Sequence, residues 1–122
     1  MAQFTLYSTR GDWAGLLIDG YVYNRQGEWV GWLEKDGQMF AVTGEYVGYI
    51  SKDFRLLRKR VIDETLPRRR PPKTPPLKIR MPAHAPLPPM MAELSYDTID
   101  VFDDMPERLH PADYDPNAQD ID

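Results

Sequence analysis

Polar and apolar residues alternate along Gln3-Phe4-Thr5-Leu6-Tyr7-Ser8, the two-residue period of a strand with one face on a core. Arg10-Gly11-Asp12 interrupts this run as a turn, and Trp13 to Ile18 resumes it as a second strand. Asp19-Gly20 and Asp36-Gly37 are two-residue hairpin signals, because aspartate and glycine accept the positive φ that such turns demand. The pattern predicts further strands near 21–24, 28–34, 38–42, 45–51 and 54–60.

One unit recurs: Tyr7-Ser8-Thr9-Arg10-Gly11-Asp12-Trp13-Ala14-Gly15-Leu16-Leu17, Tyr23-Asn24-Arg25-Gln26-Gly27-Glu28-Trp29-Val30-Gly31-Trp32-Leu33, and Phe40-Ala41-Val42-Thr43-Gly44-Glu45-Tyr46-Val47-Gly48-Tyr49-Ile50. The paired glycines at 11/15, 27/31 and 44/48 set a period of 16 and then 17 residues, a signature of repeat architecture. Strict alternation puts Trp29, Gly31 and Leu33 on one face and Val30 and Trp32 on the other. A mid-strand glycine leaves a slot for a ring or for the backbone of the next unit. The expected fold is all-β: short antiparallel hairpin repeats, three complete and one partial, about a pseudo-symmetry axis, with an extended Pro-rich, largely disordered tail. At Asp53 the aspartate persists but Phe54 replaces the glycine, so the repeat is expected to degrade there.

Composition divides the chain. All eight glycines lie at or before Gly48, and all twelve prolines lie at or after Pro67, so a compact part is expected to end near residue 63. Residues 64–92 read as a basic, solvated, polyproline-II-like linker, and 93–122 as an acidic tail. Residues 55–80 hold ten basic and two acidic side chains, whereas 81–122 hold one basic and ten acidic, so the overall charge of −4 says little about partners. There is no cysteine, which fits a reducing cytoplasm. The first residues lack a charged and then apolar leader, and the longest mostly apolar run, Trp13 to Ile18, is too short for a membrane helix.

The units Gly11-Asp12-Trp13-Ala14-Gly15, Gly27-Glu28-Trp29-Val30-Gly31-Trp32 and Gly44-Glu45-Tyr46-Val47-Gly48-Tyr49 resemble the bacterial 4-fold β-flower family, over roughly residues 3–60. That resemblance implies four hairpin petals about a pseudo-fourfold axis and a tail rich in proline and basic residues. It implies no catalytic residue.

Candidate chemistry is sparse. The aromatic set reads as core, with Trp32 and Tyr49, at equivalent positions, as the candidates for exposed stacking surfaces. Asp19, Asp36 and Asp53 read as turn residues. Arg55, Arg58, Lys59, Arg60, Arg68, Arg69 and Arg70, continued by Lys73, Lys78 and Arg80, form a basic band suited to nucleic acid or another polyanion. Arg69 to Pro75 also fits the Arg-x-x-Pro-x-x-Pro pattern of proline-reading grooves.

Within 94–105, Tyr96, Ile99, Val101, Phe102 and Met105 are interleaved with acids. A solvated tail does not need them, so docking on a protein partner or on the chain's own domain is expected. The sequence leaves open whether the tail or another subunit completes the fourth petal. His84 and His110 sit in the tail beside or near prolines, and no nucleophile constellation, phosphate loop or metal-ligand spacing appears. A non-catalytic interaction module without metal or cofactor is the expectation, with polyanion binding as the alternative.

Overall fold

Eight short strands follow one another in space as they do along the chain, each antiparallel to its neighbour, in a computed structural model that describes residues 3–60, 68–109 and 111. They are β1 (Gln3–Tyr7), β2 (Trp13–Ile18), β3 (Tyr21–Asn24), β4 (Trp29–Leu33), β5 (Gln38–Ala41), β6 (Tyr46–Ile50), β7 (Leu56–Lys59) and β8 (Thr98–Asp100). A one-turn helix, α1 (Val101–Asp104), and a 3-10 turn (Pro106–Arg108) follow. Residues 64–67 of the expected linker, His110, and 112–122 of the expected tail lie outside the described residues. The first seven strands fall where the alternation predicts them.

Local turn chemistry explains the succession. Asp19 (φ 51°) and Gly20 (φ 86°) both take positive φ, the requirement of the two-residue turn that matches strand twist. Phe54 also sits at φ 60°, where Gly37 sits at 87°, so the turn persists at the position expected to degrade. An aromatic residue in that region costs on the order of 1–2 kcal/mol. Its ring stacks on Phe4, with centroids 5.3 Å apart, which offsets part of that cost.

Each of these turns is capped by a backbone amide further round the sheet. The Gly20 carbonyl accepts from Leu33 N–H at 2.7 Å and the Gly37 carbonyl from Ile50 N–H at 3.2 Å. The Phe54 carbonyl accepts from Tyr7 N–H at 2.8 Å, which brings the first strand against the entrance to the seventh and so requires the sheet to curl.

Curling gives the sheet two unlike faces. Leu6, Leu17, Val22, Val30, Met39, Val47 and Leu56 come from seven different strands yet form one buried cluster, which only a concave face allows. Tyr23, Trp29, Trp32 and Phe40 form a second cluster on the convex face. Trp29 and Trp32 therefore share a face, while Val30 is in the concave cluster and Leu33 packs against it. Strict alternation fails at a β-bulge: Gly31 pairs with Val22 and Trp29 with Tyr23, which leaves Val30 as the extra residue. A β-carbon at Gly15, Gly31 or Gly48 would overlap the carbonyl of Tyr23, Phe40 or Leu57 on the next strand. Of the two slots expected, the backbone slot is the one formed.

The proline-rich stretch, extended as expected, is not free in solvent. Residues 68–92 form a strap along the convex face, running past the hairpins in reverse order. Arg69 N–H donates to Gly44 O and Ile79 N–H to Gly27 O, both at 2.8 Å, ten residues apart. Tyr23 donates its hydroxyl to Pro76 O at 3.0 Å and Tyr7 to Pro86 O at 2.8 Å, again ten residues apart. Pro89 stands where a third amide donor would fall, and the neighbouring Pro88 ring packs near Gly11 instead. The strap then delivers β8 to β7, with Leu57, Arg58 and Lys59 paired to Asp100, Ile99 and Thr98.

Candidate functional site

Completion of the fourth strand pair consumes much of the chemistry that the sequence singles out. Val101 is fully buried in the concave cluster, and Phe102 and Met105 pack against it half-buried. Ile99 is half-buried on β8. Tyr96 alone of this set stands out in solvent, 89% exposed. Segment 94–105 is thus seated on the chain's own sheet.

The basic band splits in two. Arg55, expected in the solvent-facing band, is only 1% exposed, and Arg58 is buried too. The physical reason is topological: β7 is an inner strand once β8 pairs with it, so its side chains cannot all reach water. Arg55 Nη2 pairs with Asp53 Oδ2 at 2.6 Å and donates to Ala92 O at 2.8 Å, while Nε reaches Asp53 Oδ1 at 3.0 Å. Nη1 donates to Thr9 Oγ1 at 3.3 Å, and that hydroxyl in turn donates to Asp100 Oδ2 at 2.5 Å. Asp100 also accepts from Thr9 N–H at 2.6 Å. This network ties the β1–β2 turn, the β6–β7 turn, the strap and β8 together where the curl meets itself.

Burial alone would raise the Asp53 carboxyl, but hydrogen bonds from Arg55, Ser51 and the Ala92 amide, with the Arg55 charge, hold it below the ordinary carboxylate value. Burial, with the Tyr21 phenol as a second cause, raises Tyr23, whose hydroxyl is the donor to Pro76 O.

Lys59, Arg60, Arg68, Arg69 and Arg70 remain exposed. Lys59 lies 3.4 Å from Asp97, and Arg68 lies 2.7 Å from Glu45, both in solvent-accessible pairs. Arg60 donates to Tyr96 O, and the Arg69 guanidinium lies 5.3 Å above the Phe40 ring. Trp32, expected to be accessible, is 3% exposed: its ring stacks on Phe40 at 5.6 Å and its indole N–H donates to Glu34. Its equivalent, Tyr49, is half-buried and lines an open groove of about 620 Å³ over β6 and β7. Ser51, Lys52, Leu57 and Lys59 form its floor and one rim, with Met90 and Leu94 on the far wall. The strap residues Leu87 and Met90 are 92% and 95% exposed.

Sequence reasoning overlooked this groove because it read the strap as free. A signal was present: Pro72-Lys73-Thr74-Pro75-Pro76-Leu77 recurs ten residues later as Pro82-Ala83-His84-Ala85-Pro86-Leu87. That step matches the spacing of the anchors. Of the three turn aspartates, Asp36 accepts from the Gln38 amide and Asp19 occupies its turn, as turn residues do; Asp53 has the added partner Arg55.

Among the described residues, no group of His, Cys, Asp and Glu has an arrangement that could hold a metal ion, and no helix is long and apolar enough to cross a membrane. Comparison with curated proteins and with solved structures finds no match. A family model described as 4-fold beta flower protein matches residues 2–102, which takes in all eight strands and the strap, and the chain belongs to that family.

Proposed function

We propose that the protein is a non-catalytic interaction module of the cytoplasm, in which a strap-bound β-scaffold offers the outward side chains of residues 87–96 to a protein partner. The observation that carries this reading is the exposure of Leu87, Met90 and Tyr96 on a backbone that is itself fixed. Tyr7 holds the strap at Pro86, Asp53 and Arg55 hold it at Ala92, and Arg60 holds Tyr96 by its carbonyl. Large apolar groups on a restrained backbone lose little further entropy on binding, the condition under which a small surface binds well. Segment 94–105 serves its own domain, and the partner reads what it leaves outside. The absence of cysteine supports the assignment to a reducing compartment.

A photo-crosslinking residue at Tyr96 or Met90, introduced in the cells that make the protein, is expected to trap a discrete protein adduct that the same residue at exposed Lys35 does not trap. Equal labelling at Lys35, or none at Tyr96 and Met90, would overturn the reading.

One observation favours a second reading. Arg70, Lys73, Lys78 and Arg80 are exposed although the strap backbone is anchored, a string of cations along the strap. Polyanion binding by that string predicts retention of a single-stranded oligonucleotide that collapses between about 50 and 200 mM salt. Adducts at Tyr96 that are insensitive to salt favour the first reading.

A further inference from the structure

We propose that the groove over β6 and β7 receives an extended, proline-containing acidic segment of a partner protein, held as the convex face holds the chain's own strap. This deepens the reading just given and rests on it.

Three cross-strand pairs recur at equivalent positions of the sheet: Leu16 with Tyr23, Trp32 with Phe40, and Tyr49 with Leu57. The strap covers the first two. Tyr23 is buried and donates its hydroxyl to Pro76 O, and the Arg69 guanidinium lies over Phe40. At the third pair the strap stands off as a wall of Met90 and Leu94, and the face between is the groove. The vacancy is therefore continuous with an interface whose chemistry is already visible.

Beside the Arg69 and Ile79 amides donated to Gly44 O and Gly27 O, that chemistry is mostly donation from the sheet to an extended chain. Tyr7 and Tyr23 donate to proline carbonyls, Tyr21 to Lys73 O at 2.7 Å, and the Trp29 amide to Leu77 O at 2.9 Å. Proline suits such a surface, since it keeps its carbonyl acceptor, has no amide to leave unpaired, and is already extended. The groove repeats the donor surplus with the Tyr49 hydroxyl and the Lys52 and Lys59 ammonium groups.

Charge selects the acidic class. Asp53 and Arg55 at the groove floor neutralise each other. Lys52 is exposed at the rim. Among the described residues Lys59 pairs with Asp97, across 3.4 Å with both side chains about half exposed, a pair of the kind worth little and readily exchanged. Glu93 opposes them with one charge on the far wall. A volume of about 620 Å³ suits a few residues of extended chain, with Leu57 and Met90 as its apolar contacts.

The test uses the full chain, labelled with ¹⁵N. It is titrated with a synthetic peptide of about ten residues, the strap's own step, built from proline, leucine and aspartate. The control replaces each aspartate by lysine. The expected result is saturable shifts at Tyr49, Ser51, Lys52, Leu57, Lys59 and the 90–95 amides. Affinity is expected to fall roughly five- to tenfold in the Lys52→Gln/Lys59→Gln variant, whose unperturbed spectrum elsewhere reports an intact fold.

No shift at millimolar peptide, equal shifts with the lysine control, or shifts centred on the strap-covered pairs would overturn the proposal. So would concentration-dependent shifts of the groove without peptide, which would make a second copy the occupant. Adducts at Tyr96 that persist alongside any of these results leave the interaction module standing and remove only the groove.

Discussion

The β3/β4 and β7/β8 pairs have the same antiparallel plan but are closed by different means. Between Asn24 and Trp29 the chain turns in four residues, and the turn closes itself: Asn24 N–H donates to Glu28 O, and Gly27 N–H to Asn24 O. Between Lys59 and Thr98 the same tip is opened to admit 38 residues, yet Arg60 N–H still donates to Asp97 O at 2.6 Å across it. Closing the longer loop costs roughly 2 kcal/mol more in chain entropy. The strap's anchors, the burial of Val101 and the Arg55–Asp53 network supply the offset. A local hairpin is specified by its turn; the fourth pair is specified by tertiary contacts distributed over the rest of the molecule.

The sharpest way to break the comparison is to disable those contacts alone. Arg55→Met leaves the partly buried Asp53 without its cation, and a loss of about 3 kcal/mol in a urea melt is expected, with amide exchange accelerated first in β8. Protection lost equally in β3 and β4 at the outset would mean that the fourth pair is no more conditional than the second.

Gly31→Val attacks what the pairs share, the approach of one strand's carbonyl to the next strand's glycine. A loss of about 3 kcal/mol or somewhat more is expected because backbone, not a movable side chain, stands in the way. A variant with the stability of the parent would sink the close-approach account.

Acid provides a milder probe. Asp53 is held below its ordinary value in the folded chain, so its contribution is present above the unfolded carboxylate range near 3.9 and is lost as pH falls through the folded value. Thermal melts should show β7/β8 loosening ahead of β3/β4 in that window, and Asp53→Asn should remove the difference.

The smallest effect belongs to Tyr23→Phe, which deletes the hydroxyl donated to Pro76 and should cost about 1 kcal/mol. The change should appear as faster exchange at Ile79, with β8 unaffected. Loosening of β8 instead would show the strap to be one cooperative unit from Pro76 onward.

Much of the fold was legible because its determinants are close in sequence. Asp19-Gly20 makes its turn whatever surrounds it, and the recurrent glycines announced a repeated close approach before its partner atoms were known. The candidate site was far less legible. Arg55 and Arg68 look alike in a string of cations, yet one is sealed into the curl and the other is exposed beside Glu45. Trp32 and Tyr49 occupy equivalent positions, yet Trp32 is covered and Tyr49 faces a groove. Nothing within a few residues of either distinguishes them, since the difference lies in where the strap passes.

By itself, then, the sequence determined the strands, the inner turns and the all-β repeat plan, since backbone dihedrals and side-chain alternation respond to immediate neighbours. Only the tertiary structure decided that a proline-rich stretch is bound, that β8 closes the fourth pair, and which cations and rings reach solvent. Those outcomes depend on polar groups brought together across as many as 91 residues of chain, as Thr9 and Asp100 are. Contacts at that separation are set by the curl of the sheet, which no local pattern encodes.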